Sequence, residues 1–383
     1  MRITVAIDSF KGSLSSLEAG QAVREAADAV FEECDCRVLP LADGGEGTVD
    51  AVVTARGGRI VSTVVTGPLG KPTVAKYGVC PDGTAVIEMS EAAGLPLVPV
   101  DKRDPMNTTT YGVGELILGA IGEGCRKFIL GIGGSATNDA GAGMLMALGA
   151  GLYDREGGPV PLGARGLSEL CSVDISTLNP ILRECSFLVA CDVKNPLCGE
   201  LGASAVFGPQ KGADAECVAL LDSYLSKFAD LTEQTFGSSH KDDEGAGAAG
   251  GLGFALISYL GAELCPGIDL IAGATDIESS IKESDLVITG EGRLDRQSSM
   301  GKAPVGIARL AKKHGVPVIA LCGSVTNDAG RCNDVGIDAY FSVLTSPMTL
   351  SEAMEPTVAI TNMRNTAEQA LRLFKVAGSY RAK

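Results

Sequence analysis

Glycine-rich loops that follow short apolar segments carry the side chains best suited to chemistry. In the first, DSFKGS, Asp8 ends an apolar segment and Lys11 lies three residues later. Lys11 could neutralise a phosphate or a carboxylate, and Asp8 could hold a metal ion or a substrate hydroxyl. The structural alternative is that Asp and Ser only cap the next helix, although a lysine adds nothing to such a cap.

A second loop, DGGEGT, occupies residues 43–48. Its glycines would let a ligand approach the backbone, and its carboxylates could accept hydrogen bonds from hydroxyls or bind Mg²⁺. We predict that Asp43, Gly44 and Gly45 contact the substrate and that Asp43 contributes to a metal site. The alternative is a tight turn before a helix capped by Thr48.

The third loop, GIGGSATNDAG, spans residues 131–141. Glycine-rich turns that open onto a helix present backbone N–H groups to an anion, and hydroxyl side chains add donors. The structural alternative is close packing of a helix against glycine. The predicted phosphate- or nucleotide-binding residues are Gly133, Gly134, Ser135, Thr137 and Asn138.

Residues 131–136 also satisfy G-x-G-x-x-A, a variant of the dinucleotide fingerprint. Asp154 and Glu156 follow about 20 residues later, as that fingerprint asks. An NAD(P)-dependent hydroxyacid reductase is therefore an alternative function. A second G-x-G-x-x-G, at residues 245–250, follows a charged run rather than a strand.

The fourth loop, TGEGRLDRQSSMGK, spans residues 289–302. Glu291, Asp295 and Lys302 could form a set of carboxylates and a cation, with Asp295 as a metal ligand; a surface ion-pair cluster is the alternative. The segment is not a Walker A loop, because Arg296 stands where that motif needs its first glycine.

One further segment, ACDVKNP, ends a buried strand at Asp192 and places Asn195 three residues later. An aspartate that accepts a hydroxyl proton, with an asparagine near a metal, is the division of labour that phosphotransferases use. An Asx-turn before Pro196 is the alternative.

These loops fit the carboxyl ends of parallel strands, where open α/β sheets bind ligands. Strand and helix signals alternate at both chain ends, whereas alternation with turn signals over residues 59–88 is typical of an antiparallel or mixed sheet. We predict an α/β protein with a Rossmann-like, doubly wound parallel sheet of five strands and an inserted α/β domain of mixed sheet. The predicted boundaries are residues 1–60 plus 283–383 for the first domain and 61–282 for the second, with the site in a cleft between them.

The amino-acid composition limits the classes of binding partner and of active site that we expect. The 383 residues carry a net charge of −15, so neither nucleic acid nor a membrane is an expected partner. Two histidines make a Ser-His-Asp triad or a histidine-based metal site improbable, and 12 scattered cysteines indicate a reducing compartment. The N-terminus has no secretion signal, so we expect a cytoplasmic protein, either a monomer or a homodimer.

Taken together, these loops resemble the bacterial glycerate kinase family of the type without a Walker A loop. The resemblance extends from residue 8 to residue 304 in one order. The matching segments are DSFKGSLSS (8–16), ADGGEGT (42–48), GIGGSATNDAGAGM (131–144), ACDVKNPLCG (190–199), FGPQKGA (207–213), GAAGGLG (247–253) and TGEGRLDRQSSMGKAP (289–304).

The resemblance implies ATP-dependent phosphorylation of D-glycerate with Mg²⁺, usually giving 2-phosphoglycerate, in two α/β domains with one inserted in the other. On this interpretation Asp192 orients or deprotonates the attacking hydroxyl, with Lys11 and Asp8 beside it as catalytic groups. Lys11 and Lys302 would neutralise phosphate or carboxylate. We expect Asp43, Glu291 and Asp295 to contact the substrate or to bind Mg²⁺, and we expect Asn195 to contact the substrate.

Two functions of other classes stay open at this point. One is the NAD(P)-dependent reductase that the 131–136 loop suggests. The other is a non-catalytic two-domain protein that binds a carboxylate, against which the missing secretion signal already weighs.

Overall fold

The computed structural model of the chain describes residues 1–42 and 44–381. In chain order its strands are β1 (Arg2–Ile7), β2 (Asp35–Val38), β3 (Arg59–Thr66), β4 (Pro72–Val79), β5 (Thr84–Glu88), β6 (Lys127–Gly131), β7 (Gly151–Tyr153), β8 (Ser172–Asp174), β9 (Ser186–Ala190), β10 (Glu263–Cys265), β11 (Leu286–Gly290), β12 (Arg293–Leu294), β13 (Val318–Cys322), β14 (Ser324–Val325) and β15 (Ala339–Ser342). Its α-helices are α1 (Ser16–Val30), α2 (Thr48–Arg56), α3 (Ser90–Ala93), α4 (Tyr111–Gly122), α5 (Ala142–Ala147), α6 (Ala164–Glu169), α7 (Ala203–Phe207), α8 (Ala215–Phe236), α9 (Ala248–Leu260), α10 (Gly267–Thr275), α11 (Ile277–Lys282), α12 (Ala303–Lys313), α13 (Arg331–Asp334), α14 (Leu350–Met354) and α15 (Pro356–Arg381).

The chain forms two compact units. The first unit comprises Met1–Asp43, Asp50–Ala55 and Ile268–Lys383, and the second comprises Gly44–Val49 and Arg56–Gly267. The domain boundaries proposed from the sequence, after residues 60 and 282, stay a prediction.

The first unit is built on a five-stranded sheet in the order β15-β13-β11-β1-β2, with every neighbouring pair parallel. Because its strands are covered on both faces, β11 and β13 are apolar runs in which every residue is buried. Numbered by their order within the unit, the strands run 2-1-3-4-5, a doubly wound order. The predicted five-stranded parallel sheet is therefore confirmed.

Helix α1 shows how local sequence begins an element of this unit. Its N-cap Ser15 accepts a hydrogen bond from the Glu18 backbone N–H (3.2 Å), while Glu18 accepts one from the Ser15 N–H (2.9 Å). This reciprocal pair of hydrogen bonds is a capping box. The second strand of this unit ends at Val38.

The second unit contains a six-stranded mixed sheet in the order β10-β9-β6-β5-β4-β3. The β3–β4 and β4–β5 pairs are antiparallel, and the pairs from β5 to β10 are parallel. Phe128 of β6 stacks on Phe187 of β9 with ring centroids 4.8 Å apart. The mixed sheet matches the alternating pattern and turn signals of residues 59–88.

The second unit contains helices in segments whose glycine content is typical of turns. Residues 204–212 contain most of α7, and residues 246–253 contain the start of α9. Helix α8 was not predicted, although its buried residues Leu221, Leu225, Phe228 and Thr232 lie on one helical face. Its caps are conventional: Asp214 accepts from the Cys217 N–H, and a left-handed glycine follows its last residue.

Across residues 1–42 and 44–381, none of the helices combines the length and the apolar character needed to cross a membrane.

Candidate functional site

A cavity of about 660 Å³ lies within the first unit, at the carboxyl ends of its strands. Asp8 and Lys11, from the loop after β1, line it together with Glu291, Asp295 and Lys302, from the loop after β11. Strands β1 and β11 are neighbours, with Val5 opposite Ile288. The structure thus brings these five predicted residues to one cavity, at the point where the strand order reverses.

Backbone hydrogen bonds fix the carboxylates of this cavity. The Asp8 N–H donates to the Gly290 carbonyl (2.9 Å), and the Asp8 carboxylate accepts from the Ser9 N–H (2.7 Å). Asp295 accepts from the backbone N–H groups of Gln297 (2.8 Å) and Ser298 (3.3 Å), which closes a turn. These bonds hold the two side chains in place without a ligand.

The oxygen donors of this cavity suit a hard cation. Asp8, Glu291 and Asp295 are hard ligands of the kind that Mg²⁺ binds, usually through one or two carboxylates with waters and substrate phosphates. Among the residues that the structure describes, no three His, Cys, Asp or Glu side chains are arranged to share one ion. Asp43, predicted as a substrate and metal ligand, lies outside the described residues.

A second group of predicted residues lies in the second unit, where β6 and β9 end side by side with Gly131 opposite Ala190. The turn at Gly44 and Gly45 packs on these strand ends: a Cβ on Gly131 would lie 2.3 Å from the Gly44 carbonyl oxygen. A Cβ on Gly44 would lie 2.4 Å from the Ala190 Cβ, and Gly44 has φ +87°. Glycine is required at both positions, because a side chain on Gly131 would meet the Gly44 backbone and one on Gly44 would meet the Ala190 methyl group.

The buried Lys211 contacts the 131–141 loop from the protein interior. It is not among the functional residues predicted from the sequence. Its ammonium group donates to the Ser135 hydroxyl (2.8 Å) and to the Thr137 carbonyl (2.6 Å), with 2% of the residue exposed. Burial lowers the pKa of Lys211 to about 7, while the nearby Asp139 carboxylate opposes that fall. Its only signal in the sequence is its place in the segment FGPQKGA.

Asp139 fixes the other end of this loop. Its carboxylate accepts four hydrogen bonds: from the N–H and hydroxyl of Thr110 (2.9 Å each) and from the N–H groups of Gly141 and Gly143 (3.2 Å each). Burial raises the pKa of Asp139, and these hydrogen bonds act against the rise. The carboxylate therefore holds together the loop and the start of α5.

The predicted phosphate-binding residues differ in accessibility. Gly134 is exposed and Gly133 is partly exposed, whereas Ser135, Thr137 and Asn138 are buried. The Asn138 amide donates to the Ser204 hydroxyl (2.9 Å). Among the described residues, the Thr137 hydroxyl and the Asn138 amide oxygen have no hydrogen-bond partner. A ligand that arrives from solvent therefore meets the Gly133–Gly134 backbone first.

Asp192 and Asn195 lie beyond the end of β9. The exposed Asp192 accepts a hydrogen bond from the Gly267 N–H (2.8 Å), within the same unit. The Asn195 side-chain amide donates to the Leu201 carbonyl (2.8 Å), and the backbone carbonyl of Asn195 accepts from the Gly247 N–H (2.9 Å). Asn195 therefore organises its loop, and Asp192 keeps a carboxylate accessible to solvent.

The chain belongs to the glycerate kinase family, whose model matches residues 3–375. The predicted family is thereby confirmed, and with it the enzyme class: a phosphotransferase with an alcohol group as acceptor.

Individual relatives agree over almost the whole chain. A glycerate kinase of Bacillus subtilis is 52% identical and covers 98% of each chain. A glycerate 2-kinase of Escherichia coli is 50% identical over 92% of this chain and 93% of its own. A crystal structure from Salmonella typhimurium LT2, described as glycerate kinase 2, superposes with a TM-score of 0.88 at 46% identity and covers 99% of both chains.

The reductase alternative is not favoured by these comparisons, and the geometry gives no support to it. Asp154, the acidic residue that the fingerprint would need, accepts from the N–H groups of Glu156 (2.8 Å) and Gly158 (2.9 Å) in a local turn. The glycine loop leads into α5, which has only six residues. A dinucleotide fingerprint instead opens directly onto the helix that packs on its sheet.

Proposed function

We propose that the protein transfers a phosphoryl group from ATP to a hydroxyl of D-glycerate, with 2-phosphoglycerate as the product and Mg²⁺ as the metal. The observation that carries the proposal is the family match over residues 3–375, with relatives named glycerate kinase and glycerate 2-kinase at about half identity. Phosphoryl transfer relies on positioning and charge neutralisation, and the charged groups of the first-unit cavity are of the type it needs.

The cations have to act locally, because both reactants are anions and the chain carries a net charge of −15. We assign to Lys11 and Lys302 the neutralisation of phosphate or of the glycerate carboxylate. Asp8 then accepts from a substrate hydroxyl, and Asp192 takes the proton of the attacking hydroxyl. Asn195 acts through the shape of its loop.

Mg²⁺ would be held by one or two of the carboxylates of Asp8, Glu291 and Asp295, with water and phosphate oxygens completing its coordination. When bound, the ion would neutralise charge on the phosphate oxygens. Backbone N–H groups hold two of these carboxylates in fixed positions: Ser9 donates to Asp8, and Gln297 and Ser298 donate to Asp295. The contributions of Asp43 to metal and substrate binding stay predictions.

For the 131–141 loop we propose contact with a phosphate group through the accessible backbone of Gly133 and Gly134. The Gly133 N–H donates to the Gly44 carbonyl (3.4 Å), so the Gly134 N–H is the donor that we assign to the phosphate. The Ser135 hydroxyl, held by Lys211, stabilises this turn. The positive end of Lys211 lies beneath the turn, where an anion would favour its charged form. Residence in the cytoplasm, a cleft between the two domains and the choice between monomer and homodimer stay predictions.

The direct test is phosphorus NMR of the purified protein with ATP, Mg²⁺ and D-glycerate. We expect ADP and a phosphomonoester whose coupling to protons identifies 2-phosphoglycerate. Reactions without D-glycerate, and with NADH in place of ATP, are the controls. ATP hydrolysis that does not depend on D-glycerate, or oxidation of NADH with a hydroxyacid precursor, would contradict the proposal.

A lysine variant tests the assignment of the cavity. Lys302→Met should lower kcat/KM by about 100-fold, because a charge-assisted contact to an anion is lost. Lys313→Met, an exposed lysine at the end of the same helix, is the matched control and should leave kcat/KM unchanged. Equal activity of the two variants would remove Lys302 from the site.

A further inference from the structure

The cavity of the first unit extends along the carboxyl edge of the five-stranded sheet. Four adjacent strands contribute to it in the order β1, β11, β13 and β15. At a strand spacing of about 4.8 Å, the outer two lie about 14 Å apart. This length is more than a small hydroxyacid needs, and the volume of about 660 Å³ is within the range for cofactor-sized ligands.

Charged and apolar groups both line that edge. The loops after β1 and β11 supply the charged side chains already described, and the loop after β1 also contributes the apolar Phe10 and Leu14. At β13 the wall is Gly323 and Ser324; a Cβ on Gly323 would lie 2.5 Å from the Gly292 carbonyl oxygen, so backbone forms the wall there. The chain that follows β15 contributes an apolar end, which consists of Val343, Leu344 and the methionines Met348, Met354 and Met363. Met354 also approaches the loop after β1, because a Cβ on Gly12 would lie 3.1 Å from its Cε.

Two polar side chains line the apolar part, the exposed Thr349 and the buried Asn362. Asn362, on α15, lines the cavity and is 5% exposed. Its amide oxygen accepts from the Thr345 hydroxyl (3.0 Å), whereas its amide N–H₂ points at the Met348 sulfur at 3.7 Å. A thioether is a weak acceptor, so the amide can donate to a better acceptor on a ligand.

We infer that this apolar end, formed by Asn362 with the methionines and Val343, binds the heteroaromatic base of the nucleotide substrate. A base has apolar faces and a polar edge: thioethers contact aromatic faces favourably, and the Asn362 amide would donate to the edge. The ribose would then lie along Gly323 and Ser324, with the phosphates toward Lys11 and Lys302. The inference rests on the proposed function only in that a kinase needs a nucleotide.

D-glycerate fits this end poorly. It has a carboxylate and two hydroxyls but no apolar surface to bury, so a methionine-lined wall would leave its polar groups without partners. The charged end suits glycerate or phosphates equally well. The apolar end therefore separates the nucleotide from the hydroxyacid as its occupant.

The test compares two ligands that differ in the base. Isothermal titration calorimetry with Mg²⁺ measures ADP and pyrophosphate binding to the wild-type chain. We expect ADP to bind at least tenfold more tightly. Equal affinities, or binding of neither ligand, would overturn the inference.

Variants locate the base. Asn362→Asp keeps the acceptor for Thr345 and removes the N–H₂ donor; we expect about tenfold weaker ADP binding with pyrophosphate binding changed less than twofold. Asn365→Asp, exposed on the same helix, introduces the same charge as a control. Because pyrophosphate reports any repulsion by the new carboxylate, a loss common to both ligands would count against a base contact.

A second variant keeps the inference testable if Asn362→Asp does not fold. Met348→Ala should also weaken ADP but not pyrophosphate, whereas Met300→Ala, at a residue 79% exposed and outside the cavity, should change neither. Unchanged ADP affinity in both Asn362→Asp and Met348→Ala, with circular dichroism like the wild type, would overturn the inference.

The outcomes also separate this inference from the proposed function. ADP binding needs no hydroxyacid. If the protein is inactive on D-glycerate while its ADP affinity depends on Asn362, only the assignment of D-glycerate as the acceptor substrate is refuted, and the inference about the base stands. In an active protein, Asn362→Asp should raise the KM for ATP about tenfold and leave the KM for D-glycerate within twofold. The reverse pattern would place the hydroxyacid at this end and overturn the inference alone.

Discussion

Replacing Lys211 by methionine should remove a pH dependence from the stability of the protein. Lys211 is buried beneath the 131–141 loop, and burial lowers its pKa from 10.5 to about 7. Methionine has a similar length and no charge, so Lys211→Met removes the titrating group while largely preserving packing.

The magnitude follows from linkage. Between pH 7 and pH 10.5 the unfolded chain binds a proton at Lys211 that the folded chain does not. The free energy of unfolding of the wild type therefore rises with pH in this window, and well below pH 7, where both states bind the proton, the contribution of Lys211 is constant. With these two pKa values the rise from pH 7 to pH 9 is about 2 kcal/mol.

The variant should also lose hydrogen bonds at every pH. Without the ammonium group, the Ser135 hydroxyl and the Thr137 carbonyl lose a partner, which costs about 1–3 kcal/mol for each group left unsatisfied. That loss is offset by the removal of a buried charge, so the sign of the difference at pH 7 is not diagnostic. The diagnostic quantity is the slope of the difference against pH.

Urea denaturation at pH 7, 8 and 9 gives this slope. The chain has no tryptophan and seven tyrosines, so tyrosine fluorescence reports mainly the second unit, which holds Tyr77, Tyr111, Tyr153, Tyr224 and Tyr259. Lys102→Met, at an exposed lysine of the same unit, is the control and should follow the wild type. Wild-type and Lys211→Met curves that stay parallel to within about 0.5 kcal/mol would refute the assignment of a near-neutral lysine beneath the loop.

Three further substitutions test other parts of the site. Asp192→Asn retains an oxygen acceptor for the Gly267 N–H, so we expect the urea midpoint to stay unchanged while kcat falls by about 10²–10⁴-fold; retained turnover would show that Asp192 is not the base. Gly44→Ala meets both a left-handed φ and a clash, so it should destabilise the protein by about 2 kcal/mol or more, whereas Gly47→Ala, with φ +92° and open space, should cost about 1 kcal/mol. Equal urea midpoints for these two alanine variants would contradict the close approach of backbone at residue 44. Asp139→Asn would turn an amide N–H₂ toward N–H donors, and we expect a loss of about 2–4 kcal/mol in urea denaturation; a loss below about 0.5 kcal/mol would mean that the four hydrogen bonds do not depend on the charge.

The first-unit sheet was predictable because its signals are local. A buried parallel strand is a short apolar run that ends in a polar turn, and β1, β11 and β13 all have this form. Adjacent parallel strands end at one edge, so their loops must share that edge. For this reason the sequence also predicted that Asp8, Lys11, Glu291, Asp295 and Lys302 would act together, and all five line one cavity.

The helical segments of the second unit were harder to predict. Residues 246–253 are mostly glycine and alanine, which indicates a turn, and Ala249, Gly250 and Gly251 indeed have positive φ. The helix forms beyond them because Leu252, Phe254 and Leu256 are buried in the core of that unit. Tertiary packing decides such a segment, and local propensity does not.

The apolar end of the first-unit cavity was also absent from the prediction. Met348, Met354 and Met363 are scattered over two helices and a loop, and no spacing in the sequence relates them to Asp8 or Glu291. A methionine in such a segment is usually predicted to be an ordinary core residue. Only the fold of β15 and α15 against the sheet brings them to the cavity.

Lys211 shows most clearly why the chemistry of a site exceeds what its sequence predicts. It lies 76 residues after the hydroxyl that it contacts, and its burial depends on the fold of the whole second unit. Among the described residues that are fully buried or nearly so, it is the one lysine or arginine. A charge in such a place lowers stability unless something else requires it. Natural sequences break the rule against buried charge mainly at functional sites. The position of Lys211 therefore supports a role for the 131–141 loop in holding an anion, and this support is independent of the resemblance to the glycerate kinase family.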